Sequence, residues 1–140
     1  MITKTLKQEF TIGDILESTH RGFKEGLHYI IYFDAGSDNV FLGAMLTKLN
    51  HELNIEMIQD HFHPSDNLSQ AYKVTYRNSF LVKAKLEKPY KWGPFTKVGT
   101  LTPLGVEFVK NNIANLSSES WEDYCTRTKL NFKDNGRRKG

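Results

Sequence analysis

The sequence has few of the features that would place it outside the ordinary globular proteins. Cys125 is the only cysteine among 140 residues, so no disulfide can form within the chain, which suits a reducing compartment and predicts a cytoplasmic protein. No run of 18 apolar residues occurs, and the first residues, MITKTLKQEF, lack the apolar core of a signal peptide. We therefore expect no membrane span and no membrane partner.

The length and composition predict one compact domain. A hydrophobic fraction of 39% with 25% charged residues is ordinary for a chain that buries a core without disulfides. The net charge of +3 comes from the last ten residues, NFKDNGRRKG, which carry four positive charges and one negative charge. We therefore expect a folded body over residues 1–116, followed over 117–140 by a short helix and a basic, flexible tail.

Short apolar runs separated by turn residues predict a mainly β fold. Residues 29–33 are all β-branched or aromatic, and the turn formers at 34–39 allow the next run, which ends at Thr47, to return antiparallel. In residues 79–86, apolar and polar side chains alternate as in a strand with one buried face. Strands are expected at residues 12–16, 28–33, 40–49, 53–58, 71–76, 79–86 and 95–101.

Two helices are expected near the end of the chain. Thr102 followed by Pro103 is typical of a helix start, because the hydroxyl can cap the helix and proline suits its first position. The apolar stripe of this helix is expected to be Leu104, Phe108, Val109 and Ile113. A second, short helix is expected to follow a cap within residues 117–120. Since no amphipathic helix separates the early strands, the pattern favours a small antiparallel barrel with a C-terminal helix.

The polar loop between the first two strands contains groups suited to phosphate chemistry. His20, Arg21, Lys24 and His28 all lie within it. RNA can be cleaved without a metal if a base deprotonates the 2′-hydroxyl and a cation stabilises charge on the phosphoryl oxygens. Arginine suits the cation's task and histidine that of the base. The alternative is an ordinary surface loop with a solvated arginine.

Thr47 is the second candidate for the chemistry. A hydroxyl at the end of the third strand could donate a hydrogen bond to the phosphate or to the leaving oxygen. The alternative is that threonine is simply a good β-former at a strand end.

A basic stripe runs through residues 72–98. This segment contains seven lysines and arginines, interspersed with aromatic residues, and Glu87 is its only acidic residue. Such a combination can follow a phosphate backbone and stack unpaired bases. The residues expected to contact RNA are Lys24, Lys83, Lys85, Tyr90, Lys91 and Trp92. The alternative is that the aromatic residues belong to the core and that the lysines protect strand edges.

One histidine-rich segment is a candidate metal site. His61 and His63 flank Phe62, and Asp66 follows, but no cysteine or second histidine pair lies nearby at the spacing of a zinc finger. A solvated loop is favoured, and no metal or other cofactor is expected. Cys125 lies beside Glu122 and Asp123, without the positive surroundings that activate a thiolate, so a structural role is expected.

Several of these features occur in an order that resembles the MazF/PemK family of toxins. They are Gly13-Asp14-Ile15, Arg21-Gly22 with Gly26, Ile30 to Phe33, Thr47, Ser79 before the run to Leu86, and Lys97 to Thr102 before the helix. The resemblance covers about residues 10–114. It implies an SH3-like barrel that acts as an endoribonuclease on single-stranded RNA, forms a homodimer and is inhibited by a cognate antitoxin protein.

The resemblance assigns the family's loop arginine to Arg21 and its strand-end threonine to Thr47. This chain departs from the family pattern where Leu27-His28 replaces the usual arginine-proline pair, where no serine follows Thr47, and where residues 115–140 have no equivalent. Two other hypotheses remain open. One is a non-catalytic SH3-like barrel that binds protein or nucleic acid as a phage or host regulator, and the other is a barrel toxin with a protein target.

Overall fold

The computed structural model describes residues 10–18, 29–37, 39–48, 53–77, 79–90 and 94–128. These residues form eight strands, one 3₁₀ turn and two helices. In chain order they are β1 (Asp14–Ser18), β2 (Tyr29–Asp34), β3 (Val40–Thr47), β4 (Asn54–Glu56), the 3₁₀ turn (Gln59–His61), β5 (Phe80–Val82), β6 (Lys85–Pro89), β7 (Phe95–Thr100), α1 (Pro103–Ile113), β8 (Ser118–Glu119) and α2 (Trp121–Thr128). The expectation of a mainly β fold with a C-terminal helix is confirmed.

The strands form one curled sheet in the order β4-β5-β3-β2-β1-β7. Strand β6 also pairs with β3, and β8 lies parallel to β6, while the other pairs are antiparallel. Among the described residues β4 and β7 are not paired, so the sheet is open and a closed barrel is not confirmed. Irregular chain follows β7 instead, through bonds from Val74 N to Val98 O and from His63 N to Thr100 O, both 3.0 Å.

The β2–β3 hairpin forms where the turn residues predicted it. Gly36 has φ of 63°, in the left-handed region, and a Cβ there would overlap the carbonyl oxygen of Val40. The strands then pair in the register Ile30 to Met45 and Ile31 to Ala44. Strand β3 ends at Thr47, the last residue of the apolar run and two residues before the expected bound at 49, and this fixes where the Thr47 side chain lies in the sheet.

Helix α1 covers one face of the sheet. Thr102 caps it by accepting a bond of 3.1 Å from Gly105 N, and Pro103 is its first residue, as the sequence predicts. Val109 and Ile113 are buried in the main core with β1, β2, β3, β5 and β7. Leu104, however, was wrongly expected in the apolar stripe, because its side chain is 63% exposed. The buried position in the first turn is Gly105, where the helix contacts the 3₁₀ turn.

Two of the expected strands differ in the structure. Residues 71–76 form no regular strand: among the described residues, only Val74 of this segment makes a backbone hydrogen bond to β7, and Ala71 makes an isolated bridge to Ser65. The strand expected at 79–86 is broken, since Ala84 N donates to Val82 O at 2.9 Å and bends the chain between β5 and β6. Leu81 and Val82 are both buried, in different clusters, because adjacent residues of a strand face opposite sides of the sheet.

The segment after α1 packs on the sheet. The second helix is confirmed, and Ser120 Oγ accepts from Asp123 N at 3.0 Å at its start. Trp121 and Tyr124 are buried against β3, β5 and β6 residues, and Cys125 packs on the same cluster. Both described helices, of 11 and 8 residues, are too short to cross a membrane.

Candidate functional site

All four candidate residues of the loop between the first two strands, and two of the predicted RNA contacts, lie outside the described residues. They are His20, Arg21, Lys24 and His28 of the loop, and Lys91 and Trp92 of the basic stripe. The described chain stops at Ser18 in β1 and resumes at Tyr29 in β2. Those two ends, and the strands beside them, are what the structure shows of the first candidate site.

Thr47 lies at the same end of the sheet as the start of β2. Its neighbour Leu46 pairs with Tyr29, and Thr47 itself pairs with Phe80 at the start of β5. The side chain of Thr47 is 9% exposed. Since Tyr29 directly follows His28 in the sequence, the strand register places Thr47 beside the residue at which the described chain resumes after residues 19–28.

The two described lysines of the predicted RNA surface have different surroundings. Lys83 is exposed in the bend between β5 and β6 and lines a shallow cleft with Arg127. Lys85 is half-buried, and its Nζ donates at 2.8 Å to the carbonyl oxygen of Ala114, at the end of α1. A cation there satisfies a helix-terminal carbonyl, so Lys85 has a structural role and Lys83 is the more available cation.

Tyr90 requires a correction, because its ring belongs to the core. It is 6% exposed, and its centroid lies 5.3 Å from that of Phe41, within a cluster that includes Tyr32 and Phe95. Stacking on a base needs an exposed ring face. Tyr90 therefore does not offer the RNA contact expected from its position near a turn.

A larger cleft lies on the open side of the sheet. It has a volume of about 680 Å³ and runs between the 3₁₀ turn, the first turn of α1 and the chain that precedes β5. We call it the Arg77 cleft. Its lining residues are Gln59, Asp60, Phe62, His63, Pro64, Thr75, Tyr76, Arg77, Thr102, Pro103 and Leu104.

Arg77 provides the principal positive charge of this cleft. Its guanidinium lies over the ring of Tyr76, with Cζ 5.6 Å from the ring centroid. No ion pair or side-chain hydrogen bond of Arg77 occurs within the described ranges. Three other described cations are in ion pairs: Lys73 with Glu17 at 3.0 Å, Lys97 with Asp14 at 3.2 Å and Arg127 with Glu119 at 2.6 Å. The five N–H donors of Arg77 are thus left for a ligand.

The opposite wall of the Arg77 cleft is held in place by the cap of α1. Thr102 Oγ1 donates to the carbonyl oxygen of Asp60 at 2.6 Å, and Thr102 N donates to His61 O at 3.0 Å. These bonds tie the 3₁₀ turn to the start of α1, so the cleft has one rigid wall. Pro103 and the exposed side chain of Leu104 give that wall an apolar rim.

His61 lies behind this wall as a buried, neutral imidazole. Its Nδ1 accepts a bond of 3.1 Å from Ile58 N, and its ring lies 4.4 Å from the ring of Phe108 in α1. Burial lowers the pKa of His61 below 6.5, and the nearby carboxylate of Asp60 partly opposes that effect. Since Nδ1 accepts, the proton of the neutral ring is on Nε2.

We expect His61 to make the fold less stable in mild acid. Below about pH 6.5 the unfolded histidine takes up a proton that the folded one resists, so the free energy of unfolding falls as the pH drops. His61→Asn keeps an acceptor near the Nδ1 position but does not titrate. Urea unfolding near pH 7 and near pH 5 should therefore show a smaller loss for His61→Asn than for wild type. Equal losses would contradict this role.

The histidine-rich segment does not form a metal site in the described part of the chain. No group of three histidine, cysteine or acidic side chains converges there. Asp66 Oδ1 instead accepts from Leu68 N and Gln70 N, both at 2.9 Å, and so stabilises a turn.

Sequence analysis counted Arg77 in the basic stripe but missed the cleft around it. The available signal was Tyr76-Arg77-Asn78, an aromatic residue and a cation at a turn, together with the helix start at Thr102.

Comparison with protein-family models, with curated proteins and with solved structures yields no match to this chain. The case for its function therefore depends on its own residues.

Proposed function

We propose that this protein is a MazF-like endoribonuclease that cleaves single-stranded RNA without a metal ion. The observation that carries the proposal is the position of Thr47. It ends β3 beside the Leu46–Tyr29 pair, one residue from where the loop containing Arg21 joins β2. The hydroxyl therefore lies near Tyr29, the described residue that follows the segment rich in cations and histidines, which supports a shared site.

The proposed reaction is an internal transfer at phosphorus. His20 or His28 removes the proton of the 2′-hydroxyl, and the 2′-oxygen attacks the adjacent phosphorus. The P–O bond to the 5′-oxygen breaks, which leaves a cyclic 2′,3′-phosphate and a free 5′-hydroxyl once that oxygen is protonated. Arg21 holds two phosphoryl oxygens as negative charge builds on them, and Thr47 donates one further hydrogen bond.

The same proposal includes the partners that the resemblance implies. Lys24, Lys83, Lys91 and Trp92 contact the RNA strand, a second copy of the chain completes a homodimer, and a cognate antitoxin protein inhibits it. Of these four residues, Lys83 is described and exposed, which supports a backbone contact. Light scattering at tens of micromolar, an order of magnitude at which obligate dimers persist, tests the dimer.

The direct test is to incubate the purified protein with a long RNA in EDTA and map the cut ends. Cuts that carry a cyclic phosphate and a 5′-hydroxyl are the expected result. Binding of single-stranded RNA with no cuts would overturn the enzyme and favour the non-catalytic binding module instead.

A matched pair of variants isolates the hydroxyl of Thr47. Thr47→Val keeps the β-branched shape that this nearly buried strand position requires, and Thr47→Ser keeps the hydroxyl. We expect Thr47→Val to lower the cleavage rate by roughly tenfold or more, less than the loss of a charged donor, because one neutral donor is removed. Thr47→Ser should stay within a few-fold of wild type. Equal rates for both variants would remove Thr47 from the mechanism.

A further inference from the structure

We infer that the Arg77 cleft binds one nucleotide, with its phosphate on Arg77 and its base against the apolar rim at Leu104. The inference deepens the proposed function, on which it rests for the choice of an RNA strand as the source. A free mononucleotide has the same chemistry and is the other source to be distinguished.

The phosphate is placed at Arg77 because of the position of its guanidinium. A guanidinium lying on a tyrosine ring is oriented before a ligand arrives, and its edge can take two phosphate oxygens at once. The side chains of Thr75 and His63 line the same cleft, and within the described ranges neither makes a side-chain hydrogen bond. Two polar side chains therefore line the cleft together with the cation.

The base end follows from the other lining residues. Phe62, Pro64, Pro103 and Leu104 give the cleft an apolar component, and Leu104 is 63% exposed although it lies in the first turn of α1. A volume of about 680 Å³ is far more than a lone phosphate needs and is within the range of small-molecule sites. A planar apolar group attached to an anion fits both parts of the cleft.

The charges in the cleft favour one orientation of the ligand. Asp60, in the 3₁₀ turn, lines the cleft beside the start of α1, where its carbonyl oxygen accepts a hydrogen bond from Thr102. Its carboxylate would repel a phosphate placed at this part of the cleft. The same carboxylate can accept hydrogen bonds from the exocyclic amine of a base. The phosphate is therefore expected at Arg77 and the base beside the start of α1.

The cleft is close enough to Thr47 for one strand to occupy both sites. Arg77 precedes Phe80 by three residues, and Phe80 pairs with Thr47. Three residues of extended chain span at most about 10 Å, and paired residues on neighbouring antiparallel strands have Cα atoms about 5 Å apart. The Cα atoms of Arg77 and Thr47 are therefore within about 15 Å of each other, which is the scale of a few nucleotides. The nucleotide in the cleft would thus flank the scissile phosphate.

Nucleotide binding is measured by NMR titration with 5′-AMP, 5′-UMP, inorganic phosphate and an eight-nucleotide RNA whose 2′-hydroxyls are replaced by hydrogen. The expected shifts are at the amides of Thr75, Tyr76 and Leu104. Arg77→Gln should weaken binding of both nucleotides about tenfold or more, since it removes a charge-assisted contact. Leu104→Ser should weaken nucleotide binding and leave the weaker phosphate binding unchanged.

Arg127→Gln is the matched control. Arg127 is also an exposed arginine over a tyrosine ring, 5.4 Å from Tyr124, but it is already paired with Glu119. It should leave nucleotide binding unchanged. If Arg127→Gln weakens binding as much as Arg77→Gln, or if Leu104→Ser has no effect and phosphate binds as well as AMP, the inference is overturned. Tighter binding of the oligonucleotide identifies a strand as the source, and binding of the mononucleotide alone identifies a free nucleotide.

The inference and the proposed function fail in different ways. RNA cleavage in EDTA together with undisturbed cleft amides would retain the enzyme and overturn the nucleotide site. Arg77-dependent nucleotide binding without any cleavage would retain the site and overturn the enzyme.

Discussion

Arg21→Lys is expected to lower RNA cleavage by on the order of a hundredfold to a thousandfold. Lysine keeps the positive charge, and so most of the nonspecific attraction to RNA, but it loses the planar fork that holds two phosphoryl oxygens as charge develops on them. The rate of cutting of a defined RNA, with enzyme in excess, measures this step apart from product release. RNA affinity should change far less than rate.

The control for this change is Arg127→Lys. Arg127, in α2, is an exposed arginine that pairs with Glu119 of β8, and a lysine at position 127 retains the charge. Cleavage by this variant should match wild type, and circular dichroism should show that both variants are folded. Wild-type cleavage by Arg21→Lys would contradict the proposed role of Arg21.

The parts of the fold that sequence analysis predicted are those specified by local chemistry. The capped start of α1 at Thr102, the glycine turn at Gly36 and the cap at Ser120 each involve residues within a few positions of one another. Side-chain caps and left-handed turns need particular residue types, so they can be recognised without knowing the fold.

The errors occur where a distant partner decides the structure. Residues 71–76 have strand composition, yet in the described chain β7 accepts only one backbone hydrogen bond from them, at Val74. The alternation in 79–86 did not show the bend at Ala84, which divides the expected strand into β5 and β6. Tyr90 was expected at the surface because of neighbouring turn residues, but Phe41 from another strand covers it.

The Arg77 cleft was missed for the same reason. Its walls come from residues 59–64, 75–77 and 102–104, which are far apart in the sequence. Neither Arg77 nor Leu104 is unusual where it stands in the chain. Only the folded chain brings a cation that lies over a tyrosine ring and an exposed leucine into the lining of one cleft.

The packing of Gly105 on the 3₁₀ turn affects both the stability of the fold and the shape of the Arg77 cleft. A Cβ at Gly105 would collide with the carbonyl oxygen of His61. That oxygen is held by Thr102 N at 3.0 Å, so it cannot move without loss of the bond that anchors α1. The same contact sets the distance between the 3₁₀ turn and the first turn of α1, both of which line the cleft.

Gly105→Ala is therefore expected to destabilise the protein, although alanine is the better helix former by about 1 kcal/mol. Overpacking against a fixed backbone typically costs about 1 to 3 kcal/mol, and here the rigid partner places the cost at the upper end. We expect the free energy of unfolding in urea to fall by roughly 2 kcal/mol net, and nucleotide binding in the cleft to weaken with it. Glu107→Ala, at an exposed position of the same helix, should change the unfolding free energy by less than about 0.5 kcal/mol. If Gly105→Ala instead stabilises the chain as propensity alone predicts, α1 is not pressed against His61, and the rigid wall assigned to the cleft does not exist.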